Sequence, residues 1–365
     1  MRTVLLHLIT TAGWRSALAV GAIEPLPEVG FVHLSNAEQV ALPANRLFAG
    51  RADLLLLVLD PERLGVEVKW EPGVHGDPEA MRFPHAYGPV PVSAVLAVEP
   101  YRPDAEGRFG APRLPDPDVA TRTLRLEASV TRRMATTELP VTGGVAVLTP
   151  AVSGSRMHNQ LLIDGPTDAA TLVAEADAAL AGHRHRMVTL IGADQAGTAK
   201  ALADRGWGVD EIAVMAAPAR GAHADRVERV DVDALRPAWA AMWRRDIPDI
   251  DDAAIADLAE RNVLQGRVVA NQHLAVRDGG VVVASALLSV DGATAWLNDV
   301  VTEPEHRGRG HADALLAEAL ALAGEAGCDV VGLGAVADDW PMTWYARRGF
   351  ADVQRCWCAT SVPAE

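Results

Sequence analysis

The sequence predicts an α+β protein of three consecutive blocks: a small N-terminal α+β domain at 1–112, then two related mixed-sheet domains at 113–220 and 221–365, the first of that pair degenerate. Three observations carry the expectation. The last block reads as an antiparallel meander followed by helix, strand, helix and strand. The block before it repeats that ending in a fixed register. A stretch dense in Pro, Gly and charge, "EPYRPDAEGRFGAPRLPDPD" at 99–118, separates the pair from the N-terminal block. At 365 residues the chain also exceeds one ordinary core, and domains of roughly 100 to 200 residues are the norm.

In the N-terminal block the strand-like segments are "LLHLIT", "GFVHLSNAEQV", "DLLLLVLD", "VEVKWE" and "FPHAYGPVPVSAVLAV", with a helix around Trp14 and Leu18. The longest apolar run, "LLLLVL" at 54–59, is strand length and far below the roughly 20 residues a membrane helix needs. The opening "MRTVLLHLITTAGW" imitates a signal peptide, but His7 interrupts its apolar run and no small-residue cleavage site follows cleanly. The expectation is therefore a cytoplasmic chain without an anchor.

The second and third blocks align without a gap at an offset of 143. "LVAEADAALAGHRHRMVTLIGADQAGTAKALADRGWGVDEIAVM" from 172 lies on "LLAEALALAGEAGCDVVGLGAVADDWPMTWYARRGFADVQRCWC" from 315, so that "ADRGW" meets "ARRGF". Matching alanine-rich helices alone would mean little, but a Gly-aromatic pair at the far end of the same register points to duplication. The third block reads as helices "VDALRPAWAAMWRR" and "DDAAIADLAERNV", strands "QHLAVRDGGVVVASALLSV" and "TAWLNDVVT", the helix after "RGRGHA", strand "DVVGLGAV", helix "DDWPMTWYARRGF" with Pro341 in its first turn, and strand "DVQRCWCATSV".

A net charge of −15 argues against wrapping a nucleic-acid backbone or lying on an anionic bilayer, so neither is expected as a partner. The three cysteines, Cys328, Cys356 and Cys358, have no framework spacing, which suits a reducing compartment. Cys356 and Cys358 share one face of a strand and read as small core residues rather than a metal or redox pair; no metal site is expected.

The stretch "EPEHRGRGHADALLAEALALA" at 303–323 carries the chemistry. Gly308 and Gly310 sit where strand turns into helix, and Ala312, Leu315, Leu316, Ala319, Leu320 and Ala323 mark one buried helical face. Such a turn offers backbone N–H groups and the positive end of a helix dipole to phosphate oxygens, and Arg307 and Arg309 add charge. Alone, the turn is equally an ordinary solvated helix start.

"LNDVVT", Pro304, "RGRGHA" and then "WYARRGF" together resemble the GCN5-related N-acetyltransferase (GNAT) superfamily, in a tandem arrangement. Arg307, Gly310 and Ala312 match the first part of its acetyl-CoA signature, and Tyr345, Gly349 and Phe350 the second; His311 departs from it, since an aliphatic residue is commoner there, and reads as a surface residue near the pyrophosphate. The resemblance implies that acetyl-CoA is the co-substrate, that the backbone of Asp299, Val300, Val301 and Thr302 contacts the pantetheine arm, and that Arg307, Gly308, Arg309, Gly310, His311 and Ala312 surround the diphosphate. It places Tyr345 as general acid to the departing thiolate; the competing reading is an aromatic packing residue. An amine nucleophile arrives protonated and needs a base, for which Asp299, and after it Glu303, lies nearest in sequence, although each reads first as a hydrogen-bonding or solvated residue. Asp338 and Asp339 read first as helix caps.

In the second block the same offset sets "DGPTDA" at 164–169 against "RGRGHA" and Leu202 against Tyr345. Asp164 and Asp168 suit capping but repel a pyrophosphate, and Leu202 cannot donate a proton, so this copy is expected to be inactive. The N-terminal block resembles a small bacterial domain family without assigned function, distantly grouped by fold with ADP-ribosyltransferases. His7, His33, Ser35, His85 and Tyr87 match its pattern, as core groups or as a ligand cleft.

The leading expectation is thus an acetyl-CoA-dependent N-acetyltransferase for a small-molecule amine. Its rivals are a non-catalytic acyl-CoA sensor and an NAD- or nucleotide-directed activity in the first block. Trp239, Trp243, Asp249, Asp251 and Asp252 read either as an entrance for a cationic acceptor or as core and helix cap.

Overall fold

The computed structural model describes residues 4–73 and 81–362. In the first block β1 (Leu5–Thr10) leads into α1 (Thr11–Val20), β2 (Ala22–Ile23), β3 (Val32–His33), α2 (Ala41–Leu47), β4 (Leu54–Leu59), β5 (Glu67–Pro72), β6 (Arg82–Tyr87), β7 (Val90–Pro91) and β8 (Val95–Pro100). β4 is the unbroken "LLLLVL" run, and it lies between β1 and β8 in an antiparallel sheet. Its six residues are all buried because both faces are covered, Leu55, Leu57 and Leu59 toward α1 and Leu54, Leu56 and Val58 toward α2 and Tyr101. A second small sheet, β3-β6-β5, stands beside it.

The rest of the chain builds one large mixed sheet. Its elements are α3 (Val119–Met134), β9 (Thr137–Val141), β10 (Gly144–Leu148), β11 (Gln160–Ile163), α4 (Ala169–Ala179), β12 (Arg186–Ile191), α5 (Ala196–Ala203) and β13 (Gly208–Pro218), followed by β14 (Glu228–Val230), α6 (Val232–Asp246), α7 (Asp252–Gln265), β15 (Ala270–Asp278), β16 (Val281–Asp291), β17 (Thr294–Thr302), α8 (His311–Glu325), β18 (Val330–Val336), α9 (Trp340–Ala346) and β19 (Ala351–Ser361). The 143 offset carries β13 onto the limits of β19 and brings α5 to within one residue of α9. The two halves share one plan, three antiparallel strands, a parallel neighbour and a final antiparallel strand.

The strand order is β14-β15-β16-β17-β18-β13-β19-β12-β11-β10-β9, so the final strands are exchanged: β13 completes the C-terminal half and β19 completes the preceding one. At the centre Ile212 faces Cys356 and Ala213 faces Arg355. The offset converts each of these pairs into the other, so a pseudo-twofold axis passes between them. Sheet pairing therefore does not respect the sequence blocks, and neither half is closed without the other's last strand.

The helix α3 holds the blocks together. Arg125 reaches Glu99 of the first block and Asp164 of the second, Arg122 pairs with Asp329, and Arg133, with a fully buried side chain, pairs with Asp291. Trp14 of α1 donates to the same Asp291 through Nε1 at 2.8 Å. No helix among the described residues is long and apolar enough to cross a membrane.

Candidate active site

The site begins where β17 leaves β18. The two strands are paired in parallel only through Thr294–Val330, Ala295–Val331 and Trp296–Gly332; beyond Trp296, β17 keeps only β16 as a partner and β18 only β13. A register shift against β16 falls between the pairs Leu287–Asn298 and Ser285–Val301, and Asp299 within it has φ 51°, a left-handed conformation for a non-glycine residue. Main-chain groups of Asn298 to Thr302 therefore border a V-shaped opening. In the preceding half β11 is paired to β12 from Leu161 to its last residue, Ile163, and no such opening forms.

On one side of the opening lies the glycine turn. Gly308 (φ 73°) and Gly310 (φ 76°) both need the left-handed region, and a Cβ on either would meet no atom within 4 Å, so backbone conformation rather than crowding selects glycine here. Gly310 is the N-cap of α8 and supplies no side-chain cap, leaving the N–H groups of the first turn, beginning with His311 and Ala312, without a capping acceptor. Arg307 donates from Nε to the Thr302 carbonyl at 3.2 Å, tying the turn to the strand. Arg309 bonds the Glu305 carbonyl at 3.0 Å, and Arg226 donates to the Arg309 carbonyl at 3.3 Å, adding a third guanidinium. His311 is not the simple surface residue the sequence suggests: both ring nitrogens are closed off without a hydrogen-bond partner, and burial, reinforced by Arg226, His306 and Arg309, lowers its pKa. In the preceding half the equivalent helix start is closed. Asp168 caps α4, accepting from the N–H groups of Ala170 and Thr171 at 2.9 and 3.1 Å, and Asp164 pairs with Arg125 at 2.8 Å.

The alternation of β17 separates the two faces of the opening. Ala295 and Leu297 pack with Leu315, Leu316 and Ala319 of α8, whereas Trp296 packs with Leu126 and Val130 of α3. Thr123 of α3 lies against Gly332, at the last parallel pair, where no side chain would fit. One helical turn further on, Glu127 lies at Asn298, just past the parting of the strands, and accepts from Asn298 Nδ2 at 3.1 Å. Asn298 in turn accepts from Trp296 Nε1 at 2.9 Å. Burial raises the Glu127 pKa, and the nearby Asp299 charge adds to the effect.

Asp299 and Arg261 lie near enough to act on this carboxyl. Both carboxylate oxygens of Asp299 accept from Arg261 Nη2, at 3.1 and 3.3 Å, and Glu303 is bonded to Arg245 at 2.6 Å. The two acids nearest in sequence are thus engaged by guanidinium groups. His158, bonded through Nδ1 to Ser155 Oγ at 2.7 Å, is pushed down to about 4 by burial, with Arg261 contributing. Tyr345 lies on α9, half-buried against Phe350 and Trp344, and burial pushes its phenol up to about 12. Arg348 fixes this helix: it stacks over Trp344 at 3.8 Å and pairs with Asp313 in the first turn of α8. Glu127, Arg261 and His158 escaped the sequence reading, because three different segments supply them and none has a motif, and Asn298, inside "LNDVVT", is given no role there.

The remaining candidates serve structural roles, and Trp239 also lines a small recess with Val301 and Glu303. Trp239 and Trp243 are core residues of the α6–α7 pair, Asp251 caps α7 through the Ala254 N–H at 2.7 Å, Asp252 pairs with Arg244, and Asp339 caps α9. The thiols of Cys328, Cys356 and Cys358 are all raised by burial. Among the described residues no group of three His, Cys, Asp or Glu side chains is placed to hold a metal ion.

Residues 233–350 match the acetyltransferase (GNAT) family, and residues 8–98 match a family described as a protein of unknown function, DUF952. No curated protein matches the chain. Among solved structures, a functionally unknown conserved protein from Staphylococcus epidermidis is 11% identical with a TM-score of 0.50, covering 63% of this chain and 94% of its own, which is a likeness of fold. A Caulobacter crescentus protein is 36% identical with a TM-score of 0.27, over 30% of this chain and 94% of its own. A GCN5-related N-acetyltransferase from Kribbella flavida is 15% identical with a TM-score of 0.44, over 66% of this chain and 96% of its own. The chain thus carries a DUF952-matching domain near its N-terminus, followed by a domain that matches the GNAT acetyltransferase family.

Proposed function

We propose that the C-terminal half transfers an acetyl group from acetyl-CoA to a small-molecule amine, and that the preceding half is an inactive copy retained as the wall of the acceptor site. The observation that carries this reading is the parting of β17 from β18 after Trp296, with an uncapped helix start on one face and the Glu127 carboxyl on the other.

The diphosphate suits the first turn of α8, where free N–H groups, the helix dipole and the guanidinium groups of Arg226, Arg307 and Arg309 favour negative charge. The thioester then lies along Asp299 to Thr302, and a main-chain N–H there stabilises the oxyanion as the amine attacks. Glu127 takes the proton that the amine must lose, because a carboxyl raised by burial is a stronger base than an ordinary one. Asn298 holds it in place, and Asp299, already engaged by Arg261, acts as a positioning residue. The C–N bond forms first to give that oxyanion; when it collapses the C–S bond breaks, and Tyr345, protonated at neutral pH, gives its proton to the departing thiolate.

The test is CoA release from acetyl-CoA in the presence of a panel of primary amines. Amine-dependent release supports the reading. Tight acetyl-CoA binding without release by any amine overturns it in favour of a sensor.

A further inference from the structure

The DUF952 domain carries a cavity of about 730 Å³, within the range of small-molecule sites, which is roughly 300–1,000 Å³. β1 and α1 form one wall, β3 and β6 the opposite one, and α2 closes a third side. Ile9, Ala17, Ile23, Leu34 and Phe83 make the interior apolar. Around it the large apolar residues Val20, Leu26 and Leu47 are 68%, 50% and 68% exposed, although a folded domain usually turns such side chains inward.

Three imidazoles line the same space. His33 and His85 meet edge to face with centroids 5.1 Å apart, and Phe31 stacks on His85 at 4.0 Å. His7 Nδ1 lies 2.8 Å from the His33 carbonyl, which can only accept, so that nitrogen carries the proton and Nε2 keeps its lone pair. His85 Nδ1 lies 2.8 Å from Glu71 Oε2, which also accepts from the Tyr87 hydroxyl at 2.8 Å, so the carboxylate fixes a proton on Nδ1. Burial holds His7 down to about 4 and lowers His33, so both are uncharged at neutral pH. The lining also includes Arg46 and Glu24, whose formal charges cancel.

We propose that this cavity is a second ligand site, separate from the transferase cleft, for an uncharged amphiphile: an apolar body fills the interior and a hydroxyl or amide head donates to the imidazole nitrogens. A dinucleotide suits it less well, because two phosphates would enter a mainly apolar space whose charged lining, among the described residues, is one guanidinium and one carboxylate.

Calorimetric titration of the full-length chain with 1-decanol, decanoate, decylammonium and NAD, followed by ¹⁵N spectra of the histidine rings, tests this. The expected result is saturable binding of 1-decanol, tighter than that of the two charged analogues, with shifts in the His7 and His85 ring signals. His33→Trp, at an exposed position of the wall, should weaken that binding at least tenfold while leaving acetyl-CoA affinity unchanged. Leu47→Asp, on the exposed rim where folding is not at stake, should do the same. The proposal is overturned if 1-decanol gives no saturable binding, if Leu47→Asp binds it as well as the unaltered chain, or if NAD or decanoate binds more tightly than 1-decanol.

Discussion

Asn298 and Glu127 are 171 positions apart, yet a 3.1 Å hydrogen bond joins them at the point where β17 parts from β18. The bond ties α3, which begins the preceding half, to the strand that borders the opening in the other half. It gives the duplicated copy a chemical reason to persist: its first helix brings a carboxyl that the C-terminal half does not itself place at this spot.

Glu127→Gln keeps an acceptor for Asn298 and removes the base. Turnover is expected to fall roughly 100-fold or more, with acetyl-CoA affinity nearly unchanged. The base works deprotonated, so activity rises as pH rises through the Glu127 pKa, which lies above the ordinary carboxyl range. That rising limb should vanish in the variant. A pH–rate profile that keeps the limb would remove Glu127 from the mechanism.

Tyr345→Phe retains the ring packed on Trp344 and Phe350 but not the proton. Steady-state kinetics should show kcat lowered by roughly 100-fold with little change in coenzyme affinity. Equal loss of both would make Tyr345 a packing residue only.

Gly310→Val forces a β-branched residue to φ 76°, at a cost of about 1–2 kcal/mol measurable by thermal unfolding. Because a Cβ at this position meets no atom within 4 Å, a drop in acetyl-CoA affinity beyond that strain would report intrusion of the side chain on the ligand. Unaltered affinity contradicts a phosphate cradle at this turn.

Arg133→Met leaves Asp291 buried with Trp14 as its remaining side-chain donor among the described residues. Urea unfolding should show a loss of about 3–5 kcal/mol, partly recovered when Asp291→Asn is added. A single-variant loss below about 1 kcal/mol would mean that this pair does not hold the blocks together.

Local signals made much of this legible. The meander, the glycine turn and the Tyr345 helix are written in consecutive residues, and the 143 offset places α5 and β13 on α9 and β19 nearly to the residue. The exchange of β13 and β19 is different. Both strands follow equivalent helices, and either order satisfies the same apolar pattern, so no local residue records which half each will close. The site divides in the same way. Gly310 announces itself because its φ excludes other residues, whereas Glu127 is one acid in an arginine-rich helix whose importance arises only from what the fold sets opposite it. Asp299, nearest in sequence to the acyl site, is held by Arg261 from another helix, a contact without a sequence signature.

On the proposed mechanism, one half of the duplicated sheet holds the coenzyme and the other does not. Calorimetric titration of the intact protein with acetyl-CoA tests it most directly. The prediction is one molecule bound per chain, weakened by Gly310→Val; no binding, or two equivalent sites, would contradict it.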